Sequence, residues 1–280
     1  MTAPARPRRA LPNYVYRVLE VLRTERLSPH LLRLTLGGDE LAGFATDRQG
    51  PNIKLYVPRP GQARPEMPAP DGKGNLLWPP DDRRPTMRTY TVRRYDAERG
   101  ELDVDVVVHG DHGVAGPWAA AARPGDLIGV TGPGGKSLHS AEHTVLVADL
   151  AGAPAIATLL EGLPADAHGT AVLGVPTPAD EPPLTRPAGV GLRVVTTPDD
   201  DESALIAEVQ GLERPAGSVF AWVAAESETV RSLREHFREG WGLGREDMLC
   251  TGYWKRGLSE TDYDLRFRND RADHDRRADG

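Results

Sequence analysis

The sequence predicts a β-barrel followed by an α/β domain: an antiparallel first half, then a parallel sheet with crossover helices. Three observations predict it. Up to about residue 140, apolar residues come in short alternating runs separated by turn residues, the mark of half-buried strands. From His143 onward, compact apolar runs alternate with stretches of helical periodicity. The length of 280 residues suits two domains of ordinary size.

The segment Met1–Asn13 carries Arg6, Arg8 and Arg9 among prolines, and no apolar stretch follows, so it is expected to be a disordered leader and not a signal peptide. Strands are expected at Tyr14–Leu27, Leu31–Leu36, Asn52–Val57, Met87–Tyr95 and Leu102–Val108. In the last of these, aspartate alternates with valine, which predicts one wet face and one packed face. Strands this short and closely spaced suit a small antiparallel barrel. Pro58–Pro85, dense in Pro and Gly, reads as a long surface loop. Gly132–Ser137 reads as a glycine-rich turn between the halves; it imitates a phosphate-binding loop, but Val130 stands where that motif needs glycine.

In the second half, strands are expected at His143–Ala148, Thr170–Val175, Leu192–Thr196, Ser218–Ala224 and Met248–Thr251, with helices near 152–162, 201–211 and 227–239. The third helix is the best marked, with Glu226 and Glu228 at its start and Val230, Leu233 and Phe237 on one face. The tail beyond Gly257 is too charged to fold alone. The divisions are therefore 13–140, 141–257 and a tail, 258–280.

Composition narrows the function. No apolar run of about 18 residues is present, so membrane insertion is not expected. The single cysteine, Cys250, excludes an internal disulfide or an all-cysteine cluster and points to the cytoplasm. Electrons, if handled, must reside on an organic cofactor or a partner. A net charge of −7 argues against nucleic acid, and an acidic substrate would need a local basic patch. His109, His112, His139 and His143 lack metal-ligand spacing, so no metal site is expected. Neither a GxSxG elbow nor a GxGxxG fingerprint occurs. A monomer is expected.

The run Arg88-Thr89-Tyr90-Thr91-Val92-Arg93 is the most specific. Residues two apart share a strand face, so Arg88 and Tyr90 can lie along one ligand, the guanidinium on a phosphate and the phenol against a flat ring. Thr91 points the other way. The plainer alternative is a strand with solvated arginines. Val114-Ala115-Gly116-Pro117-Trp118 reads as a loop entering a helix, with Gly116 as N-cap and Pro117 first in the helix. Such an entry suits a pyrophosphate; the alternative is a connector that closes a barrel end.

Together with Val107–Gly113, Gly125–Gly135, Pro154-Ala155-Ile156 and Gly252–Gly257, these motifs resemble the siderophore-interacting flavoproteins of the ferredoxin-reductase-like superfamily. The resemblance runs from about Tyr14 to Gly257. It implies an antiparallel Greek-key FAD-binding barrel, then a parallel-sheet nucleotide-binding-type reductase domain, and reduction of ferric siderophores with NAD(P)H or ferredoxin as donor. By the same resemblance, Tyr90 and Thr91 would contact the reacting ring. Arg88, Tyr90, Thr91 and Val92 would hold the flavin, with Val107, His109, Gly110 and His112 along its ribityl–adenine side. Val114, Ala115, Gly116 and Trp118 would take the pyrophosphate, and Lys54, Lys255 and Arg256 would attract the anionic siderophore. A different acceptor, or a non-catalytic flavin- or siderophore-binding role, remains the alternative. Two departures stand out: Gly116-Pro117 replaces a Ser-Arg pair, and Leu150-Ala151 replaces the Glu-Thr that follows Asp149.

Overall fold

The computed structural model describes residues 15–44, 52–70, 76–108, 113–135 and 139–258. The first part is built from β1 (Tyr16–Ser28), β2 (Leu31–Gly37), β3 (Asn52–Val57), β4 (Ala69–Pro70), β5 (Leu76–Leu77), β6 (Thr86–Thr91), β7 (Arg94–Asp96) and β8 (Glu101–Val107), then helix α1 (Ala115–Ala121) and β9 (Leu127–Gly134). Seven strands form one antiparallel sheet in the order β6-β3-β9-β1-β2-β8-β7. Chain 86–96 stands at both ends of that order. β6 pairs with β3, and after a break at Val92 and Arg93, β7 pairs with β8. The Arg93 N–H donates to Asp103 O at 2.9 Å, so the sheet curls back on itself as a barrel-like ring. Inside lie Leu19, Leu34, Leu36, Ile53, Val104 and Ile128, all within 1% of complete burial.

Three local expectations need correction. The face of β8 expected to be wet is covered: Asp103 and Asp105 are only 3% and 6% exposed. Arg33 forks onto Asp105 at 2.7 and 2.9 Å, while Arg94 and Thr35 reach Asp103 at 2.9 and 2.7 Å. The supposed turn at Gly132 is the end of β9, a strand between β1 and β3. Its glycines hid it from the pattern, yet they are needed there, since a Cβ at Gly129 would run into Met67 Sδ. The long loop carries the small β4–β5 hairpin, and Trp78 leans on Tyr16 and Tyr56 with centroids 6.3 and 5.9 Å apart.

The second part comprises β10 (His143–Ala148), α2 (Ala153–Glu161), β11 (His168–Val175), β12 (Val190–Thr196), α3 (Ser203–Gln210), β13 (Val219–Glu226), α4 (Ser227–Glu239) and β14 (Met248–Trp254). The five strands are all parallel, in the order β12-β11-β10-β13-β14. β13 is buried at every position, as a central parallel strand must be. The strand order reverses between β10 and β13, and in such sheets the ligand crevice opens at the carboxyl ends of the two strands flanking that reversal.

The two sheets meet tightly. Leu31 and Val107 from the barrel pack into the apolar cluster around Leu146, Ile156 and Phe220. Burying Leu31, 3% exposed, contributes roughly 1.5–3 kcal/mol. Arg93 forks onto Glu161 at 3.0 and 2.7 Å.

Candidate functional site

β6 runs beside β3 with Arg88 opposite Leu55, Tyr90 opposite Ile53 and Thr91 opposite Asn52. Arg88 and Tyr90 are half-buried on one face, and Thr91 is buried on the other with 6% exposure. That is the split the alternation predicts. The Arg88 guanidinium donates to Met87 O at 2.7 Å, which draws it along its own strand. Tyr90 and Trp118 pack on the barrel core, which also encloses Val92.

Helix α1 begins at Ala115, two residues before the proline expected to open it, with Val114 as N-cap. Pro117 then falls within the first turn, where a missing N–H breaks no helical bond. A Cβ on Gly116 would sit 3.1 Å from Val107 O, so a residue without a side chain is what lets the helix seat on the end of β8. The Trp118 N–H is committed to Val114 O at 3.2 Å. From Ala115 to Trp118, this leaves the amides of Ala115 and Gly116 for a ligand. His109, Gly110 and His112 lie outside the described residues.

The cations come from both sheets. Lys54 on β3 bonds to Thr89 Oγ1 on the neighbouring strand. Lys255 pairs with Glu228 Oε1 at 2.9 Å, and the Arg256 N–H donates to Glu226 Oε1 at 3.2 Å. The two sheets converge at one contact: Tyr253 of β14, two residues before Lys255, hydrogen-bonds Thr91, whose register partner Asn52 lies two residues from Lys54. Burial of its hydroxyl end pushes the Tyr253 phenol up to about 12 against that bond, while 38% of the residue remains exposed.

Several residues at the crevice escaped sequence reasoning. Asp149 follows directly on β10, with 4% exposure. It accepts the Gly152 N–H at 3.1 Å, the Glu226 N–H at 3.0 Å and the Trp254 Nε1–H at 2.6 Å. Burial pushes its carboxyl up to about 6, opposed by these donors and by the Ala151 N–H. Glu226, read as a helix-start acid, is 5% exposed and caps α4 through the Glu228 and Thr229 N–H groups. Leu150, where the family pattern has glutamate, is 4% exposed in the apolar cluster. A visible signal existed for Asp149: an acid at the end of the first parallel strand, followed by small residues.

A flavin dinucleotide needs an aromatic flank, a phosphate cation and close-lying backbone amides. Tyr90, Arg88 and the Gly116 cradle meet those needs, so the residues fit FAD. At the β10–β13 crevice Gly152 lets the start of α2 close on β13, since a Cβ there would sit 2.5 Å from Ala224 O.

Residues 20–137 match the siderophore-interacting FAD-binding domain, and residues 141–257 match the siderophore-interacting protein family. The chain is 34% identical to the ferric vibriobactin reductase of Vibrio cholerae, over 88% of this chain and 92% of that protein. It is 32% identical to the NADPH-dependent ferric-chelate reductase of Escherichia coli, over 90% and 97%. The crystal structure of the siderophore-interacting protein SipS from Aeromonas hydrophila superposes with a TM-score of 0.80 at 34% identity, covering 92% of this chain and 98% of that one. With two consecutive domain matches and whole-length relatives of this kind, the chain belongs to the siderophore-interacting protein family.

Proposed function

We propose that this chain is an FAD-dependent oxidoreductase that reduces ferric siderophores with electrons from NAD(P)H. The observation that carries this is the Thr91–Tyr253 contact, where the strand bearing Arg88 and Tyr90 meets the last strand of the parallel sheet beside its crevice. Bound FAD supplies the conversion of a hydride into single electrons for Fe(III), and the resulting Fe(II) is held weakly by hard oxygen ligands.

In this reading residues 13–140 hold the flavin, 141–257 dock the donor and 258–280 form a charged tail. Arg88 binds a flavin phosphate, Tyr90 flanks the ring, and the Ala115 and Gly116 amides take the pyrophosphate. Lys54, Lys255 and Arg256 draw in the anionic siderophore against the −7 charge of the whole chain. The donor role of nicotinamide is supported by the name of the Escherichia coli relative. Among the described residues no helix is long and apolar enough to cross a membrane. In this reading the chain works as a monomer in the cytoplasm, the compartment that suits its single cysteine.

The test is anaerobic release of Fe(II) into a chelator from ferric siderophores, with NADPH, NADH or reduced ferredoxin as donor and a quinone as rival acceptor. Release of Fe(II) from the siderophore with a nicotinamide as donor is the expected result. Quinone turnover without Fe(II) release would assign the chain a different acceptor.

A further inference from the structure

Three carboxylates at the crevice hold one short stretch of chain. Asp149 Oδ2 accepts the Trp254 Nε1–H at 2.6 Å, Glu228 Oε1 pairs with Lys255 Nζ at 2.9 Å, and Glu226 Oε1 accepts the Arg256 N–H at 3.2 Å. The stretch they hold is irregular. β14 follows β13 in step up to the Ala225–Gly252 pair, after which Glu226 lies opposite Trp254. Tyr253 is thus an extra residue, a β-bulge of the kind that re-aims side chains beside active sites. Its hydroxyl is directed out of the sheet to Thr91 of the barrel. A bulge gives up regular ladder bonds, so side-chain bonds must hold its shape. Asp149, a buried carboxylate, provides the one to Trp254, and its remaining acceptor positions tie the same point to the start of α2 and the end of β13.

We infer that Asp149 is a positioning residue for the reductase reaction: through Trp254 it fixes the bulge that sets Tyr253 against Thr91 and places Lys255 and Arg256 beside it. This rests on the reading of Lys255 and Arg256 as siderophore cations. Trp254→Phe keeps an aromatic ring and removes the indole N–H. In the FAD-loaded protein, backbone hydrogen exchange at 253–256 should speed up about tenfold, because a charge-assisted bond is lost. Without any donor, the Kd for an anionic ferric siderophore should rise about three- to tenfold. In turnover KM should rise by a similar factor, with kcat changed less than about twofold. Asp149→Asn, measured in the same way, is the second variant should Trp254→Phe not fold. Unchanged exchange at 253–256 overturns the inference. So does a lowered Tm with unchanged KM while Lys255→Ala raises KM, since Asp149 would then serve only the fold. If Lys255→Ala also leaves KM unchanged, the substrate-patch reading itself is wrong and the inference falls with it.

Discussion

His30 Nδ1 and Asp180 Oδ2 meet at 2.8 Å across the junction of the two sheets. Asp180 lies in the short turn after β11, fully buried, and also accepts from Ser28 Oγ at 2.7 Å, the His30 N–H at 2.9 Å and Thr177 Oγ1 at 2.7 Å. The tip of the β1–β2 hairpin is thereby latched to the parallel domain by one carboxylate.

The latch has a pH signature. Burial raises the Asp180 pKa, but the bonds from Ser28, His30 and Thr177 outweigh it and hold it at about 2. A folded pKa below the unfolded value stabilises the fold above about pH 4, and that stability is lost as pH falls from about 4 to about 2. The shift corresponds to roughly 2 kcal/mol. Denaturant unfolding of parent and Asp180→Asn should differ by about that much at pH 7 and converge near pH 2. A difference independent of pH would show that the latch does not depend on the carboxylate charge.

Flavin affinity should lean on Arg88. Helix α1 offers a phosphate few amides, since Pro117 has none and that of Trp118 is used by Val114. Arg88→Ala should therefore weaken FAD binding roughly ten- to hundredfold, the equivalent of losing a charge-assisted bond of about 1.5–3 kcal/mol. Arg94, bonded to Asp103, should affect stability and leave FAD affinity near the parent value. Equal FAD titration curves for Arg88→Ala and the parent would refute the placement.

The siderophore cations should respond to charge in opposite directions. Lys54→Ala should raise KM for an anionic siderophore several-fold. Glu228→Gln removes the partner of Lys255, so KM should fall about two- to threefold at low salt, and the gain should fade as salt shortens the screening length. Salt-dependent kinetics check both. If neither variant moves KM, these lysines serve only the surface.

Donor selectivity should be poor. The turn after β11 exposes the acid Glu181, Asp180 being buried in the latch, and Arg186, the next cation, bonds to Val190 O at 3.0 Å. A 2′-phosphate therefore finds little to recognise there, and the buried Leu150 offers no polar group to a nicotinamide. Stopped-flow flavin reduction should be slow and favour NADPH or NADH by less than about tenfold. Fast reduction with a hundredfold preference would contradict this.

The fold was largely legible because its strands obey simple periodicities: Asn52–Val57 and His143–Ala148 were read to the residue. β9 was hidden because Gly129, Gly132 and Gly134 dilute its apolar pattern, although crowding by Met67, Tyr56 and Ile53 is what excludes side chains at the first two. The site was half-legible. Arg88 and Tyr90 announce themselves by spacing two apart on a strand. Trp254 and Asp180 could not do so, since their importance lies in partners 105 and 152 residues away in the chain.

The central claim is most directly tested by one anaerobic cycle followed by absorption. The purified protein should show the flavin band near about 450 nm, and NADPH should bleach it. Adding a ferric siderophore should restore it while about two Fe(II) appear per flavin, as the two stored electrons leave singly. A protein that purifies and reconstitutes without that band, or a bleached band that persists beside excess ferric siderophore, would contradict the account.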